Sequence, residues 1–121
     1  MINGVIEMDT IYGSFTSGQI AAFKKSLRSS IFFVLLCVDP VTACEHTEID
    51  VNKLLDNLLR KLNSYNELLM HQEEVVEIMT LLQSAKDEYN SEHFDFAVCR
   101  KLILDAGSEV LKIREVGDSD A

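Results

Sequence analysis

Apolar residues along this chain recur at three- and four-residue steps, the spacing that lines one side of an α-helix. From Thr16 onward, Ile20, Phe23, Leu27, Ile31, Val34 or Leu35, and Val38 follow that rhythm. Thr16 and Gln19 stand at capping-box spacing, with Phe15 and Ile20 flanking them as a hydrophobic staple, which places the helix start near residue 17. Lys24, Lys25 and Arg28 lie mostly off the apolar face. Beyond Ser30 the polar side vanishes, because Phe32, Phe33, Leu36 and Cys37 fill the other faces. A helix apolar all round is surrounded by protein, so this half is expected at the centre of the core. Asp39-Pro40 ends it, since proline lacks an N–H and disfavours helix at the residue before it. A short helical turn is expected over residues 40–46.

Three more helical stretches follow. Val51, Leu54, Leu55, Leu58, Leu59, Leu62, Tyr65 and Leu69 form a wide stripe over about 48–69. A third helix, about 72–89, opens on Glu73, Glu74 and Glu77, which suits the positive end of a helix dipole. Its expected buried face is Val75, Val76, Ile78, Met79, Leu82, Ala85 and Tyr89. Asn90-Ser91 marks a turn. The fourth helix, about 92–114, carries Phe94, Ala97, Val98, Leu102, Ala106, Val110 and Ile113 near one face, widened by Phe96, Cys99, Ile103 and Leu104. Gly107 inside it costs about 1 kcal/mol against alanine, and marks either a close approach of a neighbouring helix or an early break.

Four amphipathic segments with short connections predict an all-α fold, a compact antiparallel bundle of four main helices. The expected organisation is an N-terminal arm over 1–15, a bundle domain over 16–116, and a disordered acidic tail over 117–121. Asn3-Gly4 offers a short hairpin between Met1-Ile2 and Val5-Ile6 within the arm, and Met8 is a second candidate start. The first two helices carry more apolar surface than a one-sided bundle helix needs, so either the arm or a second copy in a homodimer covers the surplus.

Composition narrows the class. The chain has 121 residues, with 47% hydrophobic and 26% charged, which fits one domain with a core. Twenty acids against 11 bases give a net charge of −9, the opposite of the basic footprint that direct nucleic-acid binding needs. The longest apolar run, Ile31 to Val38, is eight residues and falls short of the roughly 20 that cross a bilayer. The apolar residues before Gly13 are broken by Asn3, Glu7 and Asp9, unlike a secretory signal. Cys37, Cys44 and Cys99, an odd number without scaffold spacing, fit a reducing cytoplasm.

Candidate chemistry is sparse. Glu67, His71 and Glu74 share helical spacing, but a carboxylate-bridged bundle site needs Glu-x-x-His pairs, which the chain lacks. Cys37 with Cys44-Glu45-His46 supplies only one close pair, where structural zinc uses two. His46, His71 and His93 form no nucleophile motif, and Ser108 after Gly107 lacks the remainder of a nucleophile elbow. No catalytic residue, metal site or cofactor is therefore assigned. The informative feature is charge asymmetry. Between Thr10 and Val38 there are three bases and no acids, +3. Between Asn63 and Val98 there are eight acids and one base, −7. Glu73, Glu74, Glu77, Asp87, Glu88, Glu92 and Asp95 are the candidate partner-binding face; the same pattern also fits a solvated helix surface.

Three functions follow. The first is a non-enzymatic interaction module that regulates or inhibits a protein partner, one with a basic, nucleic-acid-processing surface included, as phage or mobile-element inhibitors, antitoxins and immunity proteins do. The second is a metal-binding bundle enzyme built on Glu67, His71 and Glu74. The third is a subunit that self-assembles through the leucine faces of its first two helices. The first is preferred, with no membrane and no direct nucleic-acid role.

Overall fold

The computed structural model describes residues 7–10, 13–42, 49–68 and 72–114. Two short strands, β1 (Glu7–Thr10) and β2 (Gly13–Thr16), pair antiparallel with Glu7 opposite Thr16 and Thr10 opposite Gly13. The N-terminal arm therefore includes a hairpin, later in the chain than the one Asn3-Gly4 suggested, which lies outside the described residues. β2 leads directly into α1 (Ser17–Val38), followed by α2 (Val51–Leu68), α3 (Glu73–Tyr89) and α4 (Phe96–Val110).

Helix ends are set by side chains that compete for backbone groups. After α1, Thr42 Oγ1 donates to Leu36 O at 2.6 Å, and Asp39 Oδ1 accepts from Val41 N at 2.8 Å, so the chain turns at Pro40. Residues 43–48, the rest of the expected 40–46 turn included, lie outside the described residues. α2 begins at Val51, three residues later than the 48 expected, because Asp50 is its cap and accepts from Lys53 N at 3.2 Å. α4 begins at Phe96 rather than near Glu92, because Asp95 caps it through Ala97 N at 2.9 Å. α4 ends at Val110, and a tighter turn continues to Ile113 through i→i+3 bonds such as Ile113 N to Val110 O at 3.1 Å.

The helices run up, down, up and down, each beside its neighbours in sequence, and α4 closes the square against α1. Phe23 of α1 stacks on Tyr65 of α2, ring centres 3.8 Å apart. At the other end of α2, Asn52 and Asn90 exchange hydrogen bonds of 2.7 and 3.1 Å, and Lys86 pairs with Asp56 at 2.6 Å. This is the expected antiparallel four-helix bundle.

Its core is a seam of Ile20, Leu27, Ile31 and Val34 from α1, Leu55, Leu58 and Leu62 from α2, Val75, Ile78, Leu82 and Ala85 from α3, and Cys99, Ile103, Ala106 and Val110 from α4. Two faces differ from the expected ones. On α3, Val76 is 48% exposed rather than buried. On α4 the seam runs through Cys99 and Ile103, while Phe94, Ala97 and Val98 are exposed. The later start of α4 leaves Phe94 in the turn, edge-on to Tyr89 at 5.7 Å. The seam is fixed by Cys99, whose Sγ donates to Ala85 O of α3 at 3.6 Å.

Gly107 marks a close approach. A Cβ there would lie 2.8 Å from Phe32 Cε1, so only glycine lets the Phe32 ring approach α4 this closely without displacement. Arg28, one turn earlier on α1, covers the same ring with its guanidinium 4.8 Å from the centroid. The apolar excess of α1 is thus partly absorbed within the bundle, although Leu36 remains 45% exposed.

Candidate functional site

The seven acids expected to form one face occupy two separate ends of α3. At its start, Glu73 and Glu74 sit in the first turn and Glu77 one turn on. With Val76 and Glu109 of α4 they line a depression of about 570 Å3. Gln72 caps α3 with extended backbone and no side-chain bond to the helix amides, so the first-turn carboxylates are what answer the helix dipole there. Glu109 was absent from the expected set. It belongs to α4, and only the antiparallel pairing of α3 with α4 brings it alongside Glu77. Its partner is Lys112, at 3.1 Å. Glu73, Glu74 and Glu77 form no ion pair among the described residues.

The remaining four acids lie at the opposite end. Glu77 and Asp87 are separated by about 15 Å of helix rise, beyond the screening length of about 8 Å at physiological salt, so the two groups act independently. Several of the distal acids have local structural work. Glu88 Oε2 accepts from Asp95 N at 2.9 Å, Asp95 caps α4, and Asp87 accepts from Gln83 Nε2 at 3.1 Å. Glu92 is exposed in the same turn. Asp87 and Glu88 thus lie in the last turn of α3 and Glu92 and Asp95 in the connection to α4, at the opposite end of the helix from Glu73, Glu74 and Glu77.

The proximal depression continues across Val76. A second hollow of about 550 Å3, between α2 and α3, is lined by Val76, Leu59 and Met79 together with Asn63, Thr80 and Gln83. Val76 is thus the exposed apolar point shared by an acidic rim and a mixed groove. An apolar centre within a charged rim is the usual anatomy of a protein-docking surface.

The bases of α1 divide by role. Lys24, expected off the apolar face, is 7% exposed; its Nζ donates to Ile113 O at 2.7 Å and Leu111 O at 3.1 Å, satisfying carbonyls at the end of α4. Lys25 and Arg28, with Lys24 beside them, border a groove of about 420 Å3 between α1 and the final turn of α4, with Phe32 in its floor and Leu111 at its edge.

The remaining candidates carry little chemistry. Cys44, Glu45, His46 and His71 lie outside the described residues, while Glu67 and His93 are exposed. Among the described residues no three His, Cys, Asp or Glu side chains converge as metal ligands do. Cys37 and Cys99 are both buried. Burial, and secondarily the Glu88 carboxylate, raises the Cys99 thiol from 9.0 to about 11. A thiol so protonated is a poor nucleophile. No described helix is long and apolar enough to cross a membrane. Compared with known proteins, the chain matches no family model, no curated protein and no solved structure.

Proposed function

We propose that this chain is a protein-interaction module that docks through the acidic edge of its bundle onto a basic surface of another protein, and so regulates or blocks it. The observation that carries the reading is the grouping of Glu73, Glu74, Glu77 and Glu109 around exposed Val76. Helix-dipole compensation accounts for Glu73 and Glu74 in the first turn. It does not account for Glu77, which stands one turn on beside Glu109 of α4, itself paired with Lys112. The groove beyond Val76, with Leu59 and Met79, supplies apolar area for a partner side chain, and the carboxylates supply steering and orientation. A net charge of −9 strengthens attraction to a basic protein and opposes direct contact with nucleic acid. An inhibitor seated on the basic channel of a nucleic-acid enzyme, an antitoxin and an immunity protein are the regulatory types this arrangement fits. The buried thiols Cys37 and Cys99 suit a reducing cytoplasm.

The test is affinity capture from the native host with the wild-type chain and with the triple variant Glu73→Lys, Glu74→Lys and Glu77→Lys, read by mass spectrometry and checked for equal helicity. The wild type is expected to retain a basic protein that 0.5 M salt releases, at roughly tenfold or greater loss of affinity. The triple variant is expected to lose it. Capture of the same protein by the reversed chain, with unchanged affinity, would refute the acidic-edge reading.

A further inference from the structure

The scarce bases of this acidic chain point to a second surface. Lys86, Lys101 and Lys112 each pair with a carboxylate, and Lys24 binds backbone carbonyls. Lys25 and Arg28, like the exposed Lys53, Lys61 and Arg100, do neither among the described residues, but they alone of these stand together, at the rim of one groove. Neither has a carboxylate partner among the described residues, and Arg28 Nε is a buried donor without an acceptor. The groove's floor is apolar, with Phe32 beneath the guanidinium and Leu111, 59% exposed, at its edge. It therefore repeats in positive sign what Glu73, Glu74 and Glu77 offer in negative sign: an exposed aliphatic side chain flanked by charges without an ion-pair partner among the described residues.

We propose that the α1–α4 groove receives the acidic edge of a second copy of this chain, Glu73 and Glu77 meeting Lys25 and Arg28 while Val76 meets Leu111. The inference rests on the acidic edge being a docking surface, and names one partner for it. The two surfaces are different, and they flank the same end of α4. Glu109 and Leu111 are two residues apart, about 200° around the helix, so one faces α3 while the other faces the α1 groove. A contact between unlike surfaces that point in different directions is head-to-tail, and it builds rings or short chains rather than a closed two-fold dimer. Self-association of this kind covers the acidic edge until a more basic partner displaces the second copy.

The salt dependence is distinctive. Two copies each carrying −9 repel at long range, and that repulsion is screened once the Debye length falls to about 8 Å near physiological salt. The contact charges are screened only at higher salt. Assembly should therefore pass through a maximum at intermediate ionic strength, whereas burial of leucine faces would strengthen steadily with salt.

Sedimentation velocity of the full chain tests this, alongside the double variant Lys25→Glu with Arg28→Glu and the triple variant Glu73→Lys, Glu74→Lys and Glu77→Lys. The wild type is expected to assemble reversibly with that salt maximum, and each variant alone to weaken assembly by roughly tenfold or more. Mixing the two variants is expected to restore it, which also shows that both are folded. A wild type that stays monomeric at every salt concentration, or assembly that survives in the double variant, or a mixture that does not reassemble, would overturn the inference. The double variant keeps Glu73, Glu74 and Glu77, so its binding to a captured basic protein reports separately on the acidic-edge reading.

Discussion

At position 24 a lysine occupies a core-facing site of α1 and is only 7% exposed. In the sequence it stands beside Lys25 and reads as one of a solvent-facing trio. Its role depends on where α4 ends, which only the tertiary fold decides. Replacing it by methionine keeps the aliphatic stem and removes two charge-assisted bonds to carbonyls, so Lys24→Met is expected to destabilise the fold by about 1–2 kcal/mol. Urea unfolding checks the loss, and faster amide exchange at Leu111 to Ile113 would locate it. Gly107 was the opposite case: a glycine inside a helical pattern signals either approach or break, and the nearness of Phe32 decides for approach. Cys99 gives a pH prediction. Its folded thiol titrates near 11 against 9.0 unperturbed, so the folded state holds the proton more tightly. Its contribution to stability is complete below about pH 9 and is lost as the pH rises to about 11. Stability measured across that window should fall less steeply in Cys99→Ala than in the wild type. Identical slopes would show that the thiol titrates alike in both states.

Helices were legible because four- and three-residue apolar spacing needs no tertiary information. The expected 17–38 and the observed Ser17–Val38 coincide, since both capping spacing and proline punctuate α1. The starts of α2 and α4 were placed three and four residues early, for one reason. In each case an acidic stretch read as the first helical turn, whereas the chain uses the aspartate just before the apolar run, Asp50 or Asp95, as the cap. Faces were harder than boundaries. Val76 and Val98 are apolar and at plausible spacing, yet they face outward because Val75 and Cys99 occupy the seam. Asp95→Ala removes the α4 cap and is expected to cost about 1 kcal/mol. Because Asp95 N also binds Glu88 Oε2, fraying should appear first in residues 96–99, visible as faster amide exchange there with the α3 amides unchanged.

On the scale of the whole molecule, charge asymmetry was readable as a count and misleading as a map. Seven of the eight acids between Asn63 and Val98 suggest one face, but the 17 residues of α3 hold three of them at one end of the bundle and the other four at or beyond its opposite end. Four of the seven expected acids sit around the α3–α4 turn, where Asp87, Glu88 and Asp95 accept local hydrogen bonds. The other three acquire Glu109 from a helix remote in sequence, an association set by antiparallel pairing rather than by local pattern. The +3 stretch on α1 proves equally divided, with Lys24 turned to the backbone and Lys25 and Arg28 left at a groove. What results is a bundle with an acidic edge on one side of the α4 terminus and a basic groove on the other. Hydrogen exchange of the chain bound to its captured partner tests the central claim most directly. Slowing centred on Glu73 to Glu77 and on the α4 turn around Glu109 is the predicted result. Slowing confined to the distal turn from Glu92 to Val98, with the start of α3 unaffected, would contradict it.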